Sequence, residues 1–151
     1  MGRKNRKKQH PRHPRRMEVW FADLPMDETT SIQGGSRPVL VISNDIVNAR
    51  SANVTVAPIT SQLKHLEMPT HVVIRNLRER SSMILAEQIM TVDKKKLIRR
   101  IGDCKEMEAE IEKALMEQIG MEVRTNVVFS SSDSRVPVCG YVCRSCVDAP
   151  P

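Results

Sequence analysis

The sequence predicts a mainly β domain in which an antiparallel, strongly bent sheet or small barrel is covered by one C-terminal helix. The chain has 151 residues, which is about one domain. Its apolar runs are short and closely spaced, and the loops between them are too brief for the crossover helices of a parallel sheet. A single stripe with helical periodicity follows the last run.

Five short apolar runs are predicted as strands. They cover residues 18–24, 39–42, 54–60, 71–74 and 83–86. The second run is β-branched and continuous, which is typical of a strand buried on both faces. Pro58 in the third run indicates a sheet edge or a bulge, because proline has no N–H to donate. Residues 88–92 are expected to continue as extended chain toward a basic segment over 94–96.

One amphipathic helix is predicted after the strands. Its apolar positions recur with the 3.6-residue period, and they are Met107, Ile111, Ala114, Leu115 and Ile119. Asp103 followed by Glu106 has the spacing of a capping box, and Gly120 supplies a stop. Such a stripe is more typical of core packing than of a binding face, so the helix is expected to cover the sheet.

The positive charge of the chain is concentrated at its start. Lys and Arg number 24 against 18 Asp and Glu, a net charge of +6, but eight of the basic residues and none of the acidic ones lie in 1–16. The other 16 basic and 18 acidic residues make the body about −2, which argues against a domain that coats nucleic acid with its whole surface. We therefore expect a disordered basic arm over 1–16, a folded domain over 17–121 and an appended, poorly ordered tail over 122–151.

Several classes of function are excluded by the sequence. No apolar run approaches the ~18–20 residues of a membrane-spanning helix, and no apolar segment of a secretory signal follows the basic start. A cytoplasmic protein is therefore expected. The four aromatic residues are too few for the base-stacking surfaces of RRM or OB domains. The body has no phosphate-binding glycine loop and no nucleophile elbow, and its scattered histidines lack metal-ligand spacing.

The residues that could carry chemistry lie at the ends of two predicted strands. Gly34 and Gly35 allow a close approach or a left-handed turn, and Pro38 then holds Arg37 in an extended conformation. An arginine fixed there suits a phosphate, because its fork donates two parallel hydrogen bonds. An ordinary surface salt bridge is the alternative. Thr60 ends the third strand, where its hydroxyl either binds a ligand or starts an ordinary loop.

Five sequence blocks follow one another along the body. They read EVWFADL (18–24), QGGSRPVLVISND (33–45), VAPITSQ (56–62), PTHV (69–72) and EQI with TVD (87–93). Together they closely resemble the MazF/PemK-type toxins of type II toxin–antitoxin systems, and the likeness extends to Met121. The resemblance implies an SH3-like barrel of the CcdB/PemK type with a C-terminal helix, usually a homodimer. It also implies a metal-independent endoribonuclease without cofactors that cuts single-stranded mRNA, and a cognate antitoxin that inserts a peptide into the RNA groove.

The resemblance assigns roles to single residues. Arg37 would bind the scissile phosphate and stabilise the pentavalent state. It would also act as the acid toward the leaving 5′-oxygen, a role that is difficult because a free arginine hardly gives up a proton. Thr60 would hydrogen-bond the same phosphate or orient the 2′-hydroxyl. Glu87 would be the general base, or else a buried partner of a backbone amide. Further candidates, which would read bases or phosphates, are Ser31, Gln33, Asn44 and Gln88.

The sequence departs from this family at three positions. Met17 stands where the family usually has glycine, Ile32 where it often has glutamate, and Met90 where arginine is common. Loss of a cation at Met90 weakens the expected phosphate contact, and Arg50 either replaces it or faces solvent. These departures keep a second function open, that of a catalytically degenerate or gyrase-binding toxin-like protein on the same fold.

The two terminal segments lie outside the resemblance. The basic arm would either add a salt-sensitive attraction to RNA or serve as a solubilising leader. In the tail, Cys139, Cys143 and Cys146 could hold zinc together with Cys104 or a histidine. Their spacing is not the tightly paired form of zinc sites, so no metal is assigned.

Overall fold

The computed structural model describes residues 13–27, 29–77, 79–123 and 141–143. Most of these residues form one curled antiparallel sheet, a half-barrel, with a helix at its C-terminal end. The strands of this sheet are β1 (Glu18–Leu24), β2 (Gly35–Val41), β3 (Asn53–Thr60), β4 (His71–Leu77), β5 (Arg80–Leu85), β6 (Met90–Asp93) and β7 (Leu97–Asp103). A short helix, α1 (Asp45–Arg50), follows β2, and the C-terminal helix α2 (Glu108–Ile119) follows β7. The predicted fold class is confirmed.

β3 is at the centre of the sheet, whose strand order is β4-β5-β3-β2-β1-β7 with β6 also beside β3. One side of β3 pairs with β2, where Pro58 lies opposite Val39. The other side pairs with β6 over 53–56 and then with β5 at Ile59 and Thr60. The expectation that Pro58 marks a sheet edge is therefore wrong. Pro58 lies where β3 changes partner and the ladder is interrupted, which is a place that tolerates a residue without an N–H.

β2 is buried on both of its faces, as predicted. Val39 and Val41 pack in an apolar cluster with valines of β3 and β6. Leu40 packs in a second cluster, which includes Ile111 of α2. None of the three β2 residues is accessible to solvent. The burial of both faces makes β2 a rigid support for Arg37, which lies near its start.

α2 covers one face of the sheet with a shorter apolar stripe than the sequence predicts. Ile111 and Ala114 are buried, and Leu115 packs against the same cluster. Ile119 is 55% exposed, so the stripe ends about one turn earlier than expected. Gly120 ends the helix with a φ of 67°, which confirms the predicted stop.

The predicted capping box of α2 is wrong. Asp103 is the last residue of β7, and its carboxylate accepts a hydrogen bond from the Arg100 guanidinium at 2.6 Å. A 3₁₀ turn over 105–107 separates the strand from the helix. The N-cap position is taken by Met107, whose side chain makes no capping hydrogen bond. Asp103, which the sequence spacing assigned to the N-cap of α2, instead ends β7 and binds Arg100.

α1 and β7 are elements that the sequence analysis does not predict. β7 lies at the edge of the sheet beside β1, and most of its residues are partly or fully exposed, so it has no apolar run. Its pairing with β1 holds it there, and the Arg99 guanidinium carbon lies 5.8 Å from the centre of the Phe21 ring. Tertiary pairing, rather than local hydrophobicity, determines this strand.

Contacts with the fold already begin at the end of the expected basic arm. The backbone N–H of Arg16 donates to Asp45 at 2.7 Å, and its guanidinium donates to Glu112 of α2 at 3.0 Å. At the other end, β8 (Met121–Val123) pairs with β9 (Tyr141–Cys143) as a separate two-stranded sheet. The rest of the expected arm and tail lies outside the described residues. None of the helices within the described ranges has the length and apolar character needed to cross a bilayer.

Candidate active site

Arg37 lies near the start of β2, and the preceding loop orients its guanidinium. Its Nε donates to the carbonyl of Gly34 at 2.7 Å, and its Nη1 donates to the side-chain oxygen of Gln33. Within the described ranges no carboxylate pairs with it, so the alternative of a surface salt bridge finds no partner there. Partial burial lowers the pKa of Arg37 below its ordinary value. The guanidinium is thus oriented but has no bound carboxylate, which is the state required for binding an anion.

The loop before Arg37 depends on two glycines. A Cβ on Gly34 would lie 2.5 Å from the carbonyl oxygen of Pro25 and 2.8 Å from the Cα of Met26, so only glycine fits. Gly35 has a φ of 75°, in the left-handed region that glycine adopts without strain. The close approach and the left-handed turn predicted from the sequence are both present.

Gln88 is distant from this loop in sequence and holds it through a hydrogen bond. Its side-chain oxygen accepts the backbone N–H of Gln33 at 2.8 Å, 55 residues away. The side-chain oxygen of Gln33 in turn accepts from Arg37. The three residues therefore form one chain of hydrogen bonds that ends on the guanidinium.

An open cavity of about 580 Å³ lies beside Arg37, and we call it the arginine cavity. Among the described residues, its wall contains two guanidiniums, those of Arg37 and Arg80, and no carboxylate. Hydroxyl and amide groups of β3 and of the loop after it complete the polar lining, at Thr60, Ser61 and Gln62. Cations with neutral hydrogen-bonding groups and no acid favour an anionic ligand.

Thr60 lies in the wall of the arginine cavity at the end of β3. Continuing the β2–β3 register beyond the pair Val39–Pro58 places Thr60 opposite Arg37. Its Oγ1 accepts the backbone N–H of Gln62 at 3.1 Å. The hydroxyl hydrogen remains available to donate, so Thr60 and Arg37 can bind the same anion.

A smaller pocket of about 200 Å³, which we call the histidine pocket, lies on the other side of β5. Arg80 and Ser82 line the arginine cavity, whereas Met83 and Leu85 line the histidine pocket, because successive side chains of a strand point to opposite faces. Three residues line both spaces, and they are Gln33, Thr60 and Gln62. The two spaces are therefore neighbours that meet at Thr60.

His71 and Glu87 contact each other in the histidine pocket. His71 Nδ1 lies 2.8 Å from the carbonyl oxygen of His65, which can only accept, so Nδ1 carries a hydrogen. Its Nε2 lies 3.1 Å from Glu87 Oε1. The second oxygen, Oε2 of Glu87, is buried and has no hydrogen-bond partner among the described residues.

Comparison with known proteins identifies the family. The model of the PemK-like, MazF-like toxins of type II toxin–antitoxin systems matches residues 15–124. The chain belongs to this toxin family. The toxin is also 50% identical over 90 residues to Endoribonuclease EndoA of Bacillus subtilis (strain 168), a stretch that covers 58% of the toxin and 77% of EndoA.

Solved structures share the fold of the toxin. An endoribonuclease in complex with its cognate antitoxin from Mycobacterial species is 25% identical, with a TM-score of 0.60 over 71% of the toxin and 95% of that chain. MazF (Form-I) from Deinococcus radiodurans is 24% identical, with a TM-score of 0.61 over 72% of the toxin and 98% of that chain. The curled sheet with its C-terminal helix is therefore a MazF-type fold, as the resemblance predicts.

The structure brings five of the eight predicted site residues of the toxin together. Those that line one or both spaces are Arg37, Thr60, Glu87, Gln33 and Gln88. Ser31 is exposed in the β1–β2 loop and lines neither space. Asn44 is the N-cap of α1, where its Oδ1 accepts the N–H of Val47 at 2.9 Å, and Arg50 lies in the last turn of the same helix.

The sequence analysis missed two residues of this site, Arg80 and His71. A signal for Arg80 is present, since it belongs to a basic stretch between two apolar runs, where a hairpin turn is expected. His71 lies in a block that resembles the family, but a lone histidine in a strand gives no sign of its partner Glu87, 16 residues later. That pairing arises only from the fold.

The departures from the family pattern have visible structural consequences. Met90 pairs with Val56 and packs against the apolar cluster of β2, β3 and β6. An apolar contact therefore stands where the family commonly has an arginine. Ile32 is 58% exposed in the loop before Gln33. Met17 has a φ of 64°, which explains why glycine suits its position, yet its side chain is buried in the core.

The described ranges contain no cluster of three histidine, cysteine or acidic side chains placed to hold a metal ion. Cys104, one candidate zinc ligand, is part of the core, and burial raises its pKa to about 11. A protonated thiol is a poor metal ligand. Cys139 and Cys146 lie outside the described residues.

Proposed function

We propose that this toxin is a sequence-specific, metal-independent endoribonuclease that cleaves single-stranded mRNA in the cytoplasm. The observation that carries the proposal is Arg37, which is held by its own loop, has no carboxylate partner among the described residues, and lies with Thr60 in an open cavity. The likeness to Endoribonuclease EndoA supports the same activity.

The substrate supplies its own nucleophile in this proposal. The 2′-oxygen of the RNA forms a bond to the adjacent phosphorus, and the bond from phosphorus to the 5′-oxygen breaks. The products are a 2′,3′-cyclic phosphate and a 5′-hydroxyl. The protein therefore needs to align the sugar, stabilise charge on the phosphorus oxygens and move two protons.

Arg37 and Thr60 bind the scissile phosphate. The Nη2 group of Arg37 and the hydroxyl of Thr60 are the donors that the fold leaves available, and charge-assisted bonds of this kind strengthen as negative charge develops on the phosphorus oxygens. Because arginine stays protonated in proteins, the proposed role of Arg37 at the leaving 5′-oxygen is to donate a hydrogen bond that stabilises its developing charge.

Glu87 accepts the proton of the 2′-hydroxyl. Its Oε1 is held 3.1 Å from Nε2 of the His71 imidazole. The Glu87 side chain is partly exposed in the histidine pocket, and its carboxylate takes the proton there. Oε2 itself is enclosed and has no hydrogen-bond partner among the described residues. Thr60 lines both spaces, which allows one nucleotide to reach Arg37 and Glu87 together.

Amide side chains are proposed to read the RNA. Gln33 and Gln88 lie in the walls where unstacked bases would pass, and amides pair with base edges. Ser31, Asn44 and Arg50 are proposed as further contacts outside the two spaces.

The proposed partners are a cognate antitoxin and a second copy of the toxin. A solved relative is an endoribonuclease in complex with its cognate antitoxin, and the arginine cavity is open to an antitoxin peptide that would displace RNA. The domain is proposed to span 17–121, with the arm over 1–16 and the tail over 122–151 as appended segments.

The proposal is tested by incubating the purified toxin with a long single-stranded RNA in EDTA. We expect discrete fragments that end in 2′,3′-cyclic phosphate, and a loss of at least about 10²–10³ in rate for Arg37→Ala because a transition-state donor is removed. Arg75→Ala, which changes an exposed arginine outside both spaces, is the matched control and should cut normally. Intact RNA in every lane would contradict the proposal and favour a toxin-like protein that binds without cutting.

A further inference from the structure

A second guanidinium shares the arginine cavity with Arg37. Arg80 is the first residue of β5, is exposed to solvent, and lines the cavity together with Leu77, its partner across the β4–β5 hairpin. Glu79, just before it, has a φ of 66° in the left-handed region. This turn fixes where β5 begins and so determines on which side of the sheet Arg80 projects.

Arg80 has no structural partner in the part of the chain that the structure describes. It makes no ion pair and no side-chain hydrogen bond there. Arginines that tie the fold together behave differently, since Arg16 pairs with two acids of α2 and Arg100 pairs with Glu18 and Asp103. The charge of Arg80 therefore has no partner among the described residues, and its side chain lies in the wall of the candidate site.

The position of Arg80 relative to Arg37 follows from the strand order. β3 lies between β2 and β5, so the two arginines come from strands about 10 Å apart. Arg80 is also three residues away along β5 from Met83, the partner of Thr60. A phosphate bound by Arg37 and Thr60 leaves Arg80 free for another one. No acid among the described residues of the cavity wall competes for it.

We propose that Arg80 binds the phosphate next to the scissile one, so that Arg37 and Arg80 hold two successive links of a single RNA strand. The inference rests on the proposed function and deepens it. A guanidinium that contacts only phosphate positions the strand and reads no base.

The test measures the binding of a fluorescein-labelled single-stranded DNA by fluorescence anisotropy at several KCl concentrations. DNA has no 2′-hydroxyl, so the toxin cannot cut it by the proposed reaction. For Arg80→Ala we expect an affinity about tenfold lower at low salt, and a slope of log Kd against log[KCl] that falls by about 0.7, because one phosphate contact is lost. Arg80→Lys should restore the slope while losing part of the affinity, because lysine keeps the charge without the fork.

The matched control is Arg75→Ala, an exposed arginine of the same hairpin that lines neither the arginine cavity nor the histidine pocket. It should bind DNA as the unmodified toxin does, and circular dichroism confirms that each variant is folded. If Arg80→Ala fails to fold, Arg80→Gln takes its place. Equal affinities and slopes for the Arg80 and Arg75 variants would overturn the inference.

RNA cleavage separates this inference from the proposed function. On mixed-sequence RNA, Arg80→Ala should cut the same sites more slowly, whereas a change of the cleavage sites would mean that Arg80 reads bases and would overturn the phosphate role. A toxin that cuts RNA while its Arg80 variant binds DNA normally refutes only the role of Arg80. A toxin that cuts no RNA, but whose Arg80 variant loses DNA affinity, refutes only the proposed reaction.

Discussion

The arginine cavity and the histidine pocket lie on opposite sides of β5 and contain opposite kinds of groups. Among the described residues, the first has two guanidiniums and no carboxylate in its wall. The second is lined by the carboxyl group of Glu87, the imidazoles of His65 and His71, and Lys64. Thr60 belongs to both.

The difference shows how one site can keep a free cation and a free base. If Arg37 and Glu87 lay in one cavity, they would form a salt bridge, and neither group would be available to substrate. The strand between the two spaces separates them, and Glu87 pairs with His71 instead. Phosphate binding and proton transfer can then be changed independently, and this independence is what the following predictions test.

The largest effect in the histidine pocket is expected for Glu87→Gln. The amide cannot take the proton of the 2′-hydroxyl, so the rate of RNA cleavage should fall by about 10²–10⁴. Binding of single-stranded DNA should be nearly unchanged, because no phosphate contact is removed. Single-turnover cleavage and anisotropy measure the two quantities.

The matched control is Glu106→Gln. Glu106 is an exposed acid that lines a different cavity, on the α2 side of His71. Its substitution should leave both quantities unchanged. A Glu87→Gln variant that cuts at the normal rate would show that the histidine pocket takes no part in the reaction.

A smaller effect is expected for Gln88→Ala, which tests whether the arginine cavity depends on the chain of hydrogen bonds behind it. Loss of the bond to the backbone of Gln33 lets the loop shift, and we expect cleavage to slow about tenfold. In the Arg37→Ala background the same substitution should have no further effect, because Gln88 acts through Arg37. Gln118→Ala, on the exposed side of α2, is the control.

Base reading by Gln88 would give a different pattern. Its side-chain nitrogen makes no hydrogen bond within the described ranges, so it remains available to a base. If Gln88→Ala changed the cleavage sites, or slowed the Arg37→Ala variant further, recognition of RNA rather than orientation of Arg37 would be its main role.

The fold could be predicted from the sequence to the extent that local patterns determine it. β2 is recognisable because its continuous apolar run is buried on both faces. Gly34 and Gly35 indicate the turn before Arg37 because each is required locally. β7 could not be predicted in this way, because pairing with β1 holds an exposed strand that has no apolar run.

The candidate site could be predicted only in part, for the same reason. Arg37 and Thr60 lie in sequence blocks that resemble the family, and the register of β2 and β3 brings them together. Arg80 enters the site through a hairpin turn, and the pairing of His71 with Glu87 depends on a contact between residues distant in sequence. The basic stretch between two apolar runs gives a local signal for Arg80, whereas the pairing of His71 with Glu87 has none.

Met17 shows that a departure from a family pattern can be compensated by packing. A non-glycine residue with a φ of 64° costs about 1–2 kcal/mol of backbone strain. Burial of the Met17 side chain in the cluster below α2 offsets this cost, since a buried methionine contributes about 1.5–3 kcal/mol. The position therefore gives no indication that the toxin has lost its activity.

The central claim is that Arg37, Thr60 and Glu87 promote attack of the RNA's own 2′-oxygen on the adjacent phosphorus. It is tested most directly with an RNA in which the nucleotide on the 5′ side of one mapped cleavage site carries a single 2′-deoxy substitution. We predict that cleavage at this bond stops while every other site in the same molecule is cut at its normal rate. Cleavage of the substituted bond at an undiminished rate would mean that the 2′-oxygen is not the nucleophile, and would contradict the account.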